Sequence, residues 1–300
     1  MSIAFAPLTQ NRFAGEVSGI DLTQPLSRDQ VRAIDDGMDR YGVLVFHNQR
    51  FDDDTQLAFS RNFGELEVSS GAEMSKPGEL RLKMEMADIS NLDAQNRLRA
   101  ADDRKRLGGL GNRLWHSDAS FRAVPAKYSL LSARIVPEKG GNTEFADMRS
   151  AYDALDAATK AEVEDLVTEH SNAYSREMIG FPKADYGAEN QDKLRPVRHR
   201  LVRFDPRTGR KSLYLSAHIG TIVGWPVPEA RAFIRDLTEH ATQPHFVYAH
   251  EWKAWDLVIW DNRTTIHRAR RYNDLTDVRD MRRSTIRGDG VTVEQVQQAA

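Results

Sequence analysis

The residues whose types and spacing could do chemistry sit in Leu114-Trp115-His116-Ser117-Asp118-Ala119-Ser120-Phe121 and, near the other end of the chain, at His267. In an extended backbone, side chains at i and i+2 leave on the same face. His116 and Asp118 can therefore aim an imidazole and a carboxylate at one point. With His267 as a second imidazole, the set would cap one face of a metal ion and leave positions open, the arrangement of a non-haem Fe(II) oxygenase. The pair alone carries little weight, because with nine His in the chain an Asp two residues after one of them arises by chance in roughly one chain of two. Its setting adds weight: Trp115 and Phe121 can wall a pocket, and anion-binding residues follow downstream. His267 by itself would read as a core histidine bonded to a backbone carbonyl.

Composition narrows the chemistry. The chain has 300 residues, 40% hydrophobic and 29% charged, the balance of a globular protein with a large core. A net charge of -2 argues against a dedicated nucleic-acid binder. There is no Cys, so disulfides and thiolate sites are excluded and any metal must be held by nitrogen and oxygen. The start, MSIAFAPLTQNRFAGEV, lacks a basic stretch followed by an apolar run, so no signal peptide is expected. No apolar run approaches a membrane span. A cytoplasmic protein without a membrane partner is expected.

The elements that must position these residues read as many short strands with few helices. Val17 to Leu26 reads as a short strand and turn. Ser27 caps a helix to about Tyr41, with Val31, Ile34 and Met38 on one face; Gly42 ends it, and Val43–His47 is a buried strand. A second helix runs from Asp52 to Phe63. From Glu65 to about Gly111 the pattern weakens, with a strand-like stretch at Glu79 to Met86; a loop this long suggests a lid or binding loop. Tyr128–Val136 is a strand, then Gly140-Gly141-Asn142 makes a turn into another. Residues 148–169, with Tyr152, Leu155, Val163 and Leu166 at helical spacing, predict one long helix. Residues 171–197 are irregular and polar. Strands are expected at Arg200–Phe204, Ser212–Ser216, Phe246–Glu251, Asp256–Trp260, Thr264–His267 and Arg282–Arg287, with a helix near Pro228–His240. The sum is a mainly β double sheet with flanking helices, in a single domain over residues 1–300.

The segment from Asp256 to Arg287 is rich in arginine but nearly lacks aromatics that could stack on bases. Arg279 and Arg283 are four apart and on one strand would share a face. Guanidinium forks grip carboxylates in two parallel hydrogen bonds. Two inward arginines near a His-Asp-His metal suit a site that handles two organic anions.

At this point a resemblance becomes specific. LWHSDASF, GGNTEFADMRSAYDAL, GRKSLYLSAH, EHATQPHFVY, WDNRTTIHRARRY and RDMRRST occur in the order found in the taurine dioxygenase / 2,4-dichlorophenoxyacetate dioxygenase family of Fe(II)- and 2-oxoglutarate-dependent oxygenases, which the chain resembles from Val43 onward. It is most similar to the aryloxyalkanoate-degrading branch. The resemblance implies a double-stranded β-helix (jelly roll), with His116, Asp118 and His267 as iron ligands. It implies that Thr143 and Arg279 hold the distal carboxylate of 2-oxoglutarate. Arg283 would lie near the metal-bound end of 2-oxoglutarate and the substrate's anionic group, and Asn112 and His218 would line the substrate pocket. Read without the family, Thr143 could merely follow a Gly-Gly turn, and His218 could be structural.

The activity so implied uses Fe(II), 2-oxoglutarate and O2. It hydroxylates the carbon next to the carboxylate of an aryloxyalkanoate such as 2,4-dichlorophenoxyacetate. The hydroxylated ether is a hemiacetal, which falls apart to a phenol and glyoxylate or another 2-oxo acid, while the cosubstrate becomes succinate and CO2. Family members are commonly homo-oligomers. A taurine or alkylsulfonate dioxygenase of the same family is the alternative, since an arginine can also bind a sulfonate. From other classes come a zinc hydrolase using the same His-Asp-His set and a non-catalytic jelly-roll binding module.

Overall fold

The computed structural model describes residues 3–73, 75, 78, 80–181 and 192–295. In chain order the strands are β1 (Ala4–Pro7), β2 (Gly15–Ser18), β3 (Val43–Phe46), β4 (Met86–Asp88), β5 (Ala126–Ile135), β6 (Thr143–Asp147), β7 (Val167–His170), β8 (Val197–Arg200), β9 (Val202–Asp205), β10 (Arg210–Leu213), β11 (Ile219–Ile222), β12 (Val247–His250), β13 (Leu257–Asp261), β14 (Thr265–Ala269) and β15 (Asp280–Arg287). The helices are α1 (Arg28–Tyr41), α2 (Asp53–Ser60), α3 (Ser70–Glu73), α4 (Arg104–Gly109), α5 (Met148–Asp153), α6 (Ala157–Val163), α7 (Asn172–Glu177) and α8 (Val227–Ala241). No helix among the described residues is long and apolar enough to cross a membrane.

The larger sheet has the order β1-β2-β3-β13-β5-β15-β4 and the facing layer contains β12-β6-β14, with β11-β7-β8 and β10-β9 beside it. This is the jelly roll. Alternation along each strand assigns the core. Val43, Val45, Leu131, Val258, Trp260 and Met281 of the larger sheet meet Phe145 of β6 between the layers. The intervening residues Leu44, Phe46, Leu130, Ile259 and Ile286 turn outward, onto Ile34, Met38 and Phe59 of α1 and α2. On the far side of the smaller layer, Ala146 and Ile266 pack with Met148, Leu213 and Leu237. Strand β3 is covered on both faces, which is why its sequence is unbroken VLVF rather than alternating.

Helix α1 starts as the sequence predicts, on a reciprocal cap between Ser27 and Gln30. It ends at Gly42, whose φ of 71° would strain a residue with a Cβ. The long helix expected over 148–169 is instead α5, then α6, then strand β7. Asp156 breaks it. Asp147 accepts from the backbone N–H of Arg149 at 3.1 Å, and Asp156 accepts from those of Ala158 at 2.9 Å and Thr159 at 3.0 Å. Asp147 caps α5 where the helix was expected to begin, and Asp156, on the surface, caps a second helix, α6. Val167 and Thr168 then serve as β-residues paired with β8 and β11.

Other boundaries move as well. The strand expected at Glu79 to Met86 is β4, Met86–Asp88, set by its pairing with Arg282–Ser284; Glu79 lies outside the described residues. The strand expected over Arg200–Phe204 is split into β8 and β9 around buried Leu201, and the one expected at Ser212–Ser216 is β10. The strand and turn expected from Val17 to Leu26 reduce to the end of β2, which stops at Ser18, and α4 and α7 appear where only loops were expected.

Candidate active site

His116 and His267 face each other through an antiparallel bridge that extends neither strand: His116 N–H donates to the His267 carbonyl at 3.0 Å and His267 N–H to that of His116 at 2.8 Å. The bridge docks the 114–118 segment on β14 and sets the two rings 4.2 Å apart. Asp118, two residues on, completes the set. Its Oδ1 lies 3.7 Å from His116 Nε2 and its Oδ2 3.7 Å from His267 Nε2, and all three side chains are buried. The ligand-capable atoms of these three lie within 4.8 Å of one another.

Hydrogen bonds fix the donors. His116 Nδ1 lies 2.8 Å from the Leu114 carbonyl, which requires a hydrogen on Nδ1 and leaves the Nε2 lone pair toward Asp118. Burial lowers the pKa of both His116 and His267, His267 the further, so both imidazoles are neutral at pH 7 and able to ligate. Burial alone would push the Asp118 carboxyl up. The Arg283 guanidinium outweighs it, with Nη1 2.5 Å from Oδ1, aided by the Ser129 hydroxyl donating to Oδ2 at 2.7 Å, and the group stays ionised below the usual carboxylate range. Asn262 ties this shell together: its Oδ1 accepts from Asp118 N–H at 3.0 Å and Trp260 Nε1 at 3.1 Å, while its Nδ2 donates to Ser129 Oγ at 2.9 Å.

The donor set fits a divalent ion of Fe(II) type: two neutral nitrogens, one anionic oxygen and no sulfur. Neighbouring ligand atoms on one face of an octahedral ion with bonds near 2.1 Å stand about 3 Å apart. The observed 3.7 Å separations close to that with a small side-chain rotation.

The triad opens on a cavity of about 590 Å³, whose lining includes Asn112, Phe121, Arg176 and His218 as well as His116 and Asp118. His218 stands edge-on to His116 at 6.1 Å and to Phe121 at 5.0 Å. A smaller recess adjoins, lined by Thr143, Leu131, Trp260 and His267 together with Arg279, Arg283 and Asn112. All eight site residues expected from the sequence thus meet at one or both cavities. Arg279 and Arg283 share the recess because both occupy the inward register of β15 and its N-terminal extension, alternating with outward Asp280 and Arg282.

Arg279 is the electrostatic anomaly. It is 5% exposed, and among the described residues no carboxylate lies within 4 Å; its side chain finds the Ile89 carbonyl at 3.4 Å and lies 6.0 Å from the Tyr272 ring. Burial pulls its pKa down to about 10, so it is still a cation at neutral pH. A buried cation without a counter-ion is costly unless an anion arrives.

Several contributors carried no sequence signal. Ser129 sits in an ordinary strand, Trp252, whose Nε1 donates to Thr143 Oγ1 at 3.0 Å, lies in a loop, and Arg176 comes from a segment that reads as irregular. Asn262 could have been noticed, since it lies five residues before His267 in the WDNR stretch.

Comparison with known proteins gives concordant results. A family model described as "Taurine catabolism dioxygenase TauD, TfdA family" matches residues 4–285. The alpha-ketoglutarate-dependent 2,4-dichlorophenoxyacetate dioxygenase of Burkholderia sp. (strain RASC) is 44% identical over 276 residues, 92% of each chain. The (S)-phenoxypropionate/alpha-ketoglutarate-dioxygenase of Sphingobium herbicidovorans is 38% identical over 259 residues, 83% of each. The crystal structure of AAD-2 in complex with Mn(II) and N-oxalylglycine superposes with a TM-score of 0.93 at 53% identity, covering 98% of this chain and 100% of that one.

Proposed function

The chain belongs to the TauD, TfdA family of dioxygenases, and from that premise we propose that it is an Fe(II)- and 2-oxoglutarate-dependent dioxygenase acting on aryloxyalkanoates such as 2,4-dichlorophenoxyacetate. It hydroxylates the carbon next to the carboxylate. The ether carbon then carries a hydroxyl, the hemiacetal collapses, and a phenol leaves with glyoxylate or another 2-oxo acid. One O2 and one 2-oxoglutarate are consumed per turnover, giving succinate and CO2. The observation that carries this reading is the meeting of two features at the adjoining cavities: a His-Asp-His face, and a buried guanidinium with no carboxylate partner among the described residues.

His116 Nε2, His267 Nε2 and an oxygen of Asp118 would hold the iron. Thr143 and Arg279 would grip the distal carboxylate of 2-oxoglutarate. When bound, iron and 2-oxoglutarate supply the oxidising power that inserts oxygen into an unactivated C–H bond. The protein's part is placement. Arg283 keeps Asp118 ionised and presents a cation beside the metal-facing end of the cavity, where the substrate carboxylate would be drawn. Asn112 and His218 line the larger cavity, where Phe121 offers an aryl ring an apolar wall. The reading takes residues 1–300 as one domain, working in the cytoplasm as a homo-oligomer on a small-molecule substrate.

The test is a panel of phenoxyacetates, phenoxypropionates and taurine, scored for phenol or sulfite release and succinate. Phenol release that requires both 2-oxoglutarate and O2 is expected. Faster turnover of taurine would move the chain to the sulfonate side of the family, and undiminished activity without O2 would turn the triad into a zinc hydrolase site.

A further inference from the structure

A chain of hydrogen bonds from the surface at His47 to His250, continued by an edge-to-face ring contact with Trp252, leads to the wall of the inner recess. Asp256, 1% exposed, accepts from His47 Nδ1 at 2.7 Å, His250 Nε2 at 3.1 Å and the Lys253 backbone N–H at 2.9 Å. An ionised carboxylate only accepts, so each of these nitrogens points a hydrogen at it. On the other side of the ring, the Tyr248 hydroxyl lies 3.1 Å from His250 Nδ1. The His250 ring stands perpendicular to the Trp252 indole, 4.5 Å away. Trp252 Nε1 in turn reaches Thr143 Oγ1 at 3.0 Å.

The direction of that last bond is fixed by chemistry. An indole N–H can donate and nothing else, whereas a threonine hydroxyl has one hydrogen and two lone pairs. Thr143 must therefore accept from Trp252, and its single hydrogen is left for another acceptor. Among the described residues Thr143 Oγ1 donates to no protein group. Thr143 and Arg279 line the same recess, and Arg279 lies over the Gly140-Gly141 turn just before Thr143: a Cβ built on Gly141 would sit 3.6 Å from Arg279 Nε.

We infer that Trp252, oriented through the His47–Asp256–His250 chain, is a positioning residue that locks the Thr143 hydroxyl as a donor to the distal carboxylate of the 2-oxo acid cosubstrate. The inference rests on the reading of Thr143 and Arg279 as that carboxylate's anchor. Without the indole, the hydroxyl can rotate or turn its lone pairs to the anion, and the anchor loses a hydrogen bond while Arg279 keeps its charge.

The test is a double-mutant cycle read by calorimetric binding of 2-oxoglutarate to Mn(II)-loaded protein. Thr143→Val and Trp252→Phe are each expected to weaken binding about tenfold, the worth of one charge-assisted hydrogen bond. The double variant should be no weaker than Thr143→Val alone. Thr143→Ser should stay sensitive to Trp252→Phe, because it keeps the hydroxyl. Asp256→Asn, which loosens the chain further out, provides a second variant: it should weaken binding in wild type and have no effect on top of Thr143→Val. Additive losses in either cycle, or unchanged binding in Trp252→Phe when Thr143→Val and Arg279→Ala both weaken it, would overturn the inference alone. Unchanged binding in Arg279→Ala would overturn the anchor reading beneath it.

Discussion

A guanidinium buried without a carboxylate, as Arg279 is among the described residues, lowers the stability of the protein that carries it. Such a group persists where an anion completes it. Removing Arg279 should therefore act on ligand binding rather than folding. Arg279→Ala is expected to raise the 2-oxoglutarate concentration needed for half-maximal succinate formation by about 10- to 100-fold, the worth of a charged hydrogen-bonded contact, with a melting temperature no lower than wild type. A lower melting temperature with an unchanged requirement would make Arg279 structural. Arg283 differs because it already has a partner: its bond to Asp118 makes it part of the metal-facing shell. In the sequence the two arginines look equivalent, four residues apart in one strand. Only their surroundings separate a cation that awaits an anion from one that steadies a ligand.

At the scale of elements, one wall of the large cavity is formed where two irregular segments meet. Arg176, on α7, donates to the Gly108 carbonyl at the end of α4 at 2.8 Å. It also crosses Gly111, where an added Cβ would lie 1.8 Å from Arg176 Nη1. The clashing atom is the far end of a flexible side chain, so Gly111→Ala should swing the guanidinium aside at a stability cost of about 1 kcal/mol or less. The expected result is a changed KM for the aryl substrate with an unchanged 2-oxoglutarate requirement, read by steady-state kinetics. Equal effects on both would show that the junction also supports the inner recess. The long segment before His116 is legible as a binding loop from its glycines and irregular pattern. Its helix α4, and the α7 that meets it, are too short to leave a periodicity in the sequence.

At the scale of the molecule, folding also buries an acid that the proposed chemistry does not use. Glu67, whose side chain is 9% exposed, has its pKa raised to about 7, mainly by burial and against the pull of Arg122. The folded state therefore holds a proton on Glu67 that the unfolded state releases near pH 4.5. Stability must fall as pH rises through the window between those two values, by on the order of 2–3 kcal/mol at most. Glu67→Gln should remove that slope, so urea unfolding of metal-free wild type and variant at pH 5 and pH 7 checks it. A slope equal in both would assign the pH dependence elsewhere.

The sequence by itself placed His116 and Asp118 two residues apart, put Arg279 and Arg283 on one strand face and read as a mainly β double sheet. His267 as the third member of the triad, the role of Thr143 and the jelly roll came only through the family resemblance. The short strands with turn residues between them are local signals and carry the β class. The sequence also placed α1, whose cap and closing glycine are local signals. It could not decide the helix over 148–169, because whether Asp156 interrupts or sits on a polar face depends on what Leu155 and Val163 pack against. Nor could it join His116 to His267 by a bridge 151 residues long in sequence separation, or turn Trp252 toward Thr143. Those depend on which strands become neighbours when two sheets close over one core, and local periodicity carries no record of that.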